Sequence, residues 1–410
     1  MMRGVLSIAI LLATFAAAFE PGEWAVLRTE REDGRHVSAR GVVQCMLEDV
    51  RPACAFDAAM TAEDFPAWQA RLREAMRELM HHPQLAPAAE PRRVASVQRE
   101  GYRVEKWEIY PLPHAAVPFL VLIPDGVEAA RPAVLCIPGS GQPKEGLAGE
   151  TSEDLSTPPV AQPSHNAMAL HYVREGWVAV VVDNAGTGEE GDAERAAGRR
   201  GYDDDNRARL LLEMGWSWLG YTSWVDQCVL DWMRGQPCVD RERIVISGFS
   251  LGTEPMMVLG MLNPDIYAFV YNDFLCRTLE RAQVMTRPGK NGSRPAPNGI
   301  RHLIPGFWLQ FDCPDIVAAL APRPVICTEG GLDRDFRLVQ KAYELAGARS
   351  SFRFHHQPKY AGAQRWDGER LPKGVDRDMF FHLANVDPRN HFFKKDLVLP
   401  WLRELLAPRN

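Results

Sequence analysis

The pentapeptide Gly248-Phe249-Ser250-Leu251-Gly252 lies between two apolar runs, Ile244-Val245-Ile246 before it and Met256-Met257-Val258-Leu259 after it. Strand, sharp turn and helix in that order form the GxSxG nucleophile-elbow pattern. The serine takes a strained backbone conformation there, and the flanking glycines are needed because a side chain would meet neighbouring backbone. Such a turn stands the serine hydroxyl at the start of a helix, where free N–H groups and the helix dipole favour developing negative charge. The pattern constrains the fold as well as the chemistry, because it requires a buried strand that delivers the turn to an exposed sheet edge.

The rest of the chain supplies such a sheet. Apolar strand-like runs at 133–137, 177–182, 244–246, 268–271, 325–328 and 351–355 alternate with helical segments at 167–174, 223–234, 336–345 and 397–406. This alternation predicts an α/β fold, a mostly parallel central sheet with helices on both faces. Residues 106–110 and 119–123 read as an antiparallel pair that opens the sheet. Ahead of it, Phe65, Trp68, Leu72, Met76 and Leu79 recur at helical spacing and predict an amphipathic helix over 62–80 packed on the core. Residues 276–312 form a Pro/Gly-rich insertion, giving loop insertions over the site.

The 410 residues are 46% hydrophobic and 24% charged, enough apolar material for a large core. Residues 1–18 have the make-up of a cleavable secretory leader: Arg3, an apolar stretch from Gly4 to Phe15, then Ala16-Ala17-Ala18. The organisation expected is a leader at 1–18, an N-terminal extension at 19–104 and a catalytic domain at 105–410, secreted or periplasmic. Loss of the leader removes Arg3 and no acid, leaving 46 basic against 53 acidic side chains and a net charge of −7. That balance argues against nucleic acid as a partner. No later segment is apolar for long enough to suggest a stable membrane span. Export permits disulfides among the eight cysteines, with Cys45–Cys54 and Cys276–Cys313 the expected bridges. Cysteines and histidines do not cluster at ligand spacing, so no metal and no cofactor is expected.

A serine hydroxyl needs a base, and the base needs an orienting acid. Asp333, in Gly330-Gly331-Leu332-Asp333, follows the strand that ends near Thr328 and is the expected acid, with Asp335 and Asp273 as alternatives. His391 precedes the closing helix and is the expected base; His382 is its rival, while His355 and His356 read as structural. The backbone N–H of Leu251 and one from Pro138-Gly139-Ser140-Gly141, that of Ser140 or else Gly141, are the expected oxyanion donors.

These pieces resemble the α/β-hydrolase superfamily, in particular its dienelactone-hydrolase-like and acetylxylan-esterase-like bacterial members. The resemblance also rests on Leu210-Leu211-Leu212 with Gly215, Trp224-Val225-Asp226, Val239-Asp240-Arg241-Glu242-Arg243, Ile304-Pro305-Gly306, Asp315-Ile316 and Ala321-Pro322-Arg323-Pro324, across roughly residues 105–408. It implies Ser250 as nucleophile, Asp333 as acid and His391 as base. Two departures stand out. Pro138-Gly139 replaces the usual histidine-glycine, and Thr253-Glu254 replaces the usual glycine after the elbow. Glu254 falls one helical turn beyond Ser250, close enough to perturb the site or bind an arginine.

The function expected is a serine-dependent carboxylic ester hydrolase acting on an acylated carbohydrate or a smaller ester, in the manner of an acetylxylan deacetylase. Trp216, Trp218, Trp308 and Trp366 are candidate sugar-stacking surfaces. The alternatives are a lactone hydrolase, a serine peptidase, or a binding module with a degenerate site.

Overall fold

The computed structural model describes residue 29 and residues 31–191, 204–285, 303–357, 368–372 and 375–407. The expected leader and Trp366 lie outside the described residues. Nine strands form one sheet: β1 (Ala89–Arg99), β2 (Tyr102–Leu112), β3 (Ala115–Pro124), β4 (Arg131–Ile137), β5 (Val178–Val181), β6 (Val239–Phe249), β7 (Ala268–Asn272), β8 (Val325–Cys327) and β9 (Phe352–Phe354). Their order is β1-β2-β3-β5-β4-β6-β7-β8-β9. The first three strands run antiparallel to their neighbours, and β5, β4, β6, β7, β8 and β9 are parallel. The central strands are apolar on both faces because helices cover both sides.

The chain passes from β4 to β5 on one side and on to β6 on the other, with Ala133 paired to both Val178 and Ile244. A strand order that reverses in this way opens a crevice at the carboxyl ends of the strands. The loop after β4 and the elbow after β6 therefore end up side by side.

Strand β1 is the element that periodicity did not reveal. Its sequence, AEPRRVASVQR, is charged and largely exposed, as suits an edge strand that resists further pairing. Its stability comes from β2, including ion pairs from Arg92 to Glu108 at 3.2 Å and from Arg93 to Glu105 at 3.1 Å. β2 runs continuously through residues 104 and 105, with Val104 opposite Val97 and Glu105 opposite Ser96.

The amphipathic helix spans Phe65–Met80 and buries Phe65, Trp68, Leu72 and Met76. Its polar face also serves the core: Arg73 Nε donates to Met261 O at 3.1 Å and Gln69 Nε2 to Ala319 O at 2.9 Å. It thus braces helix Thr253–Leu262, which carries the chain away from Ser250. All eight cysteines are free thiols, so the bridges expected for Cys45–Cys54 and Cys276–Cys313 are not formed. Cys45 is exposed whereas Cys54 is buried near Gln310. Among the described residues, no helix is long and apolar enough to cross a membrane.

Candidate active site

Ser250 has φ +51°, a left-handed conformation that a non-glycine L-residue adopts at a cost of roughly 1–2 kcal/mol. Its neighbours show why the turn is built as it is. A Cβ on Gly248 would lie 2.4 Å from Gly252 O, and one on Gly252 would lie 2.3 Å from Ile137 O. Neither position can carry a side chain while the elbow packs beneath β4. Thr253 Oγ1 donates to Ser250 O at 2.8 Å and ties the turn to the helix that follows.

The loop after β4 rests on this turn. A Cβ on Gly139 would meet the Phe249 ring at 2.7 Å and Ser250 Cβ at 3.3 Å, so the loop backbone approaches the elbow as closely as a glycine allows. Ser140 and Gly141 are exposed beside it, and Gly141 has φ +72°. Ser140 and Gly141 thus sit on the loop that overlies Ser250, and Leu251 follows it in the turn.

His391 stacks on Phe249, the residue before Ser250, with ring centroids 4.8 Å apart and planes 27° apart. Its Nδ1 lies 2.5 Å from Oε2 of Glu329. Glu329 is the buried residue two positions beyond the end of β8, only 2% exposed. Its other oxygen accepts from Asn272 Nδ2 at 3.1 Å and the Phe392 amide at 3.3 Å, and Lys394 Nζ lies 2.9 Å away. The acid is therefore fixed from several sides, and Nδ1 of the imidazole is committed to it, so that Nε2 is the nitrogen left for chemistry.

The expected acid Asp333 is elsewhere. Its Oδ1 bonds His356 Nε2 at 2.8 Å, and it is the first residue of helix Asp333–Leu345. Between the two acids, Gly330 and Gly331 take φ +91° and +156°, and their amides bond His355 O and Ala384 O. This turn carries the chain away from His391 before Asp333 is reached. Asp335 is buried within 3.2 Å of both Arg277 and Arg334. The alternative Asp273 does face the site: its carboxylate, that of Glu329 and the His391 ring each offer an atom within 4.8 Å of the others. Such a trio could hold a cation, but the Glu329–His391 bond occupies the ring nitrogen that faces the acid. His382 is exposed on helix Arg377–Leu383.

The electrostatics separate the groups further. Burial works against the charged imidazole, yet the hydrogen bond and charge of Glu329, with Asp273 behind, outweigh it and raise the His391 pKa. Burial pushes the Asp273 carboxyl up to about 6, against the pull of Arg281 and His391. Arg281 also feels Glu254, the acid one turn beyond the serine. Glu254 and Arg281 border a cavity of about 910 Å³, otherwise largely apolar, with Met257, Ile304, Phe307 and Trp308 among its walls. Of the other tryptophans, Trp216 packs on Tyr221 and Trp224, and its Nε1 donates to Met80 O at 2.8 Å.

A mostly parallel sheet that presents a left-handed serine at a strand-to-helix turn, beneath a glycine loop from the adjacent strand, defines the α/β-hydrolase fold. The chain belongs to the Abhydrolase family, whose model matches residues 18–404. A Bacteroides fragilis NCTC 9343 protein with a proposed acetyl xylan esterase assignment is 52% identical, with 95% of this chain and 100% of that one covered at a TM-score of 0.89. A methylesterase is 17% identical over 84% of this chain and 72% of its own, at a TM-score of 0.51. A glucuronoyl esterase from Solibacter usitatus is 14% identical over 75% and 93%, at a TM-score of 0.50. These last two show the shared fold. No curated protein matches.

Proposed function

We propose that the protein is an exported serine esterase that removes acyl groups from a carbohydrate, with Ser250 as nucleophile, His391 as base and Glu329 in place of Asp333 as the orienting acid. The observation that carries this reading is the left-handed Ser250 beside an imidazole stacked on Phe249 and held through Nδ1 by a buried carboxylate. The 52% identical relative supports acetylated xylan as the substrate class, and the leader-like residues 1–18 support export.

The chemistry follows from the geometry. Ser250 Oγ attacks the ester carbonyl carbon while its proton passes to His391 Nε2, and Glu329 stabilises the imidazolium through Nδ1–H. Negative charge on the former carbonyl oxygen is met by the N–H groups of Leu251 and Ser140, or Gly141, each worth about 3 kcal/mol. Collapse of the tetrahedral adduct breaks the bond to the alcohol, which leaves with the proton from His391. Water, deprotonated by the same nitrogen, then releases the carboxylic acid and restores Ser250.

A fluorophosphonate probe and acetylated xylan test the reading together. Wild type should be labelled and should release acetate, and Ser250→Ala should do neither. Labelling that survives Ser250→Ala would sink the nucleophile assignment. Labelling without acetate release would overturn only the substrate, and an ester, lactone and peptide-anilide series would then find it.

A further inference from the structure

The loop expected to supply the second oxyanion donor is gripped at both ends by two consecutive residues just beyond β5. Asn184 Nδ2 donates to Pro138 O at 2.7 Å and to Gly139 O at 3.2 Å. At the far end of the loop, the Lys144 amide donates to Asp183 Oδ1 at 2.7 Å, and Lys144 Nζ lies 2.9 Å from Asp183 Oδ2. Both charged side chains of that pair are fully buried. Lys144 Nζ also contacts Glu145 at 2.9 Å and Glu189 at 2.5 Å, and the Glu189 amide donates to Asp183 Oδ2 at 3.2 Å. A Cβ on Gly188 would lie 2.3 Å from the Asp183 carboxylate, so the chain leaves room for this cluster at the expense of a side chain.

Stability alone gives little reason for such an arrangement, because desolvating these charges costs several kcal/mol per ion and an apolar replacement would pack as well. The Asn184 amide is similarly uneconomical: it is 3% exposed, and its Oδ1 has no hydrogen-bond partner. Its Nδ2, by contrast, holds two successive carbonyls. In a trans peptide, the C=O of one residue and the N–H of the next point in opposite directions. Drawing Gly139 C=O toward Asn184 therefore turns the Ser140 N–H the other way, and the Gly139 backbone is the part of the loop that lies on Ser250.

We propose that Asn184 and the buried Asp183–Lys144 pair are positioning residues that set the Ser140 N–H as the second oxyanion donor. This rests on the reading of Ser250 as nucleophile. Asn184, together with the Gln142 amide that also bonds Gly139 O at 3.3 Å, fixes the peptide plane, and the ion pair fixes where the loop ends. Neither touches the ester. Their effect appears when charge develops on the carbonyl oxygen, not when the ground-state ester binds.

The test compares Asn184→Ala, Lys144→Met, Ser250→Ala and a control, Arg99→Met. The control breaks another ion pair, at 2.7 Å, between Arg99, whose side chain is 12% exposed, and the buried Glu150, and it leaves the Asp183–Lys144 pair and Asn184 in place. With p-nitrophenyl acetate, Asn184→Ala and Lys144→Met should lower kcat about 10- to 100-fold, below the full loss of a donor. KM should stay within about threefold, and the Ki of a trifluoromethyl ketone, whose serine adduct carries the oxyanion, should rise by the same factor as kcat falls. Arg99→Met should lower Tm and leave kcat and Ki unchanged. A folded Asn184→Ala with wild-type kcat and Ki overturns the proposal, even if Lys144→Met fails to fold; so does a rise in KM with kcat unchanged. Turnover retained in Ser250→Ala would instead strike the nucleophile reading.

Discussion

Two carboxylate–imidazole pairs take their acids from positions four residues apart on the segment after β8, and they are built in opposite senses. In Glu329–His391 the acid side chain is 3% exposed and the imidazole 34%. In Asp333–His356 the acid is 16% exposed and the imidazole 9%. His356 is packed edge-on against Phe336 and Phe354, with centroids 5.4 and 5.7 Å away, while His391 stacks on the residue that precedes Ser250. The bond between acid and ring is therefore no mark of function. What differs is which partner is held rigid in the interior and which is left able to meet a reacting group.

Replacing the two rings should separate the pairs most. His391→Ala is expected to lower kcat/KM for p-nitrophenyl acetate by about 10⁴-fold or more without a comparable loss of Tm. His356→Ala should leave kcat/KM within about threefold and reduce stability by about 1–3 kcal/mol, as the loss of a buried hydrogen-bonded group does. Equal effects on activity would erase the distinction.

Changing the acids sharpens it. Glu329→Gln should cost about 10³- to 10⁴-fold in kcat, because the amide favours the wrong tautomer, while Asp333→Asn should cost almost nothing. The pH profile offers a separate reading. Only the neutral His391 accepts a proton, so activity should rise with pH through its raised pKa, above the ordinary 6.5. Glu329→Gln removes the main raising influences, so its residual activity should rise at lower pH. A profile unchanged by Glu329→Gln but moved by Asp333→Asn would return the acid role to Asp333.

The smallest effect concerns Asp273, whose carboxyl is pushed up to about 6 from an ordinary 3.8. A raised carboxyl pKa destabilises the fold once the group must ionise: the penalty is absent below about 4, grows as pH rises, and is complete above about 6. Asp273→Asn should therefore raise Tm at pH 8 more than at pH 4.5, with activity altered less than by Glu329→Gln. A larger gain at pH 4.5 would contradict the burial argument.

The positions of the elbow, the loop after β4 and His391 were legible because each adjoins a recognisable local element. Ser250 follows an apolar strand, and Gly139 and Gly141 meet their steric demands within a few residues. The carboxylate that meets His391 was not legible, although Glu329 stands almost at the end of β8. β8 has only three residues, so the pattern does not fix where it stops, and the Gly-Gly-Leu-Asp turn beyond it carries a carboxylate of equal plausibility. The path of Gly330 and Gly331, set by contacts with His355 and Ala384, brings Glu329 to His391 and Asp333 to His356. Strand β1 was illegible for a related reason. Its charged, exposed sequence gives little strand signal of its own, and the partner that makes it a strand is β2, to which it is joined as a hairpin.

The helix at Phe65–Met80 gives the molecule a timing problem. Its Arg73 is joined to Met261 across 188 residues of chain, and its Gln69 to Ala319 across 250. At synthesis rates of about 5–20 residues per second, the helix emerges roughly 10–50 s before the backbone it will brace exists. For that interval Trp68 can rest on Phe56 and Phe65, but the helix lacks Thr253–Leu262, the later element it packs against, so its apolar face waits on the serine's own helix.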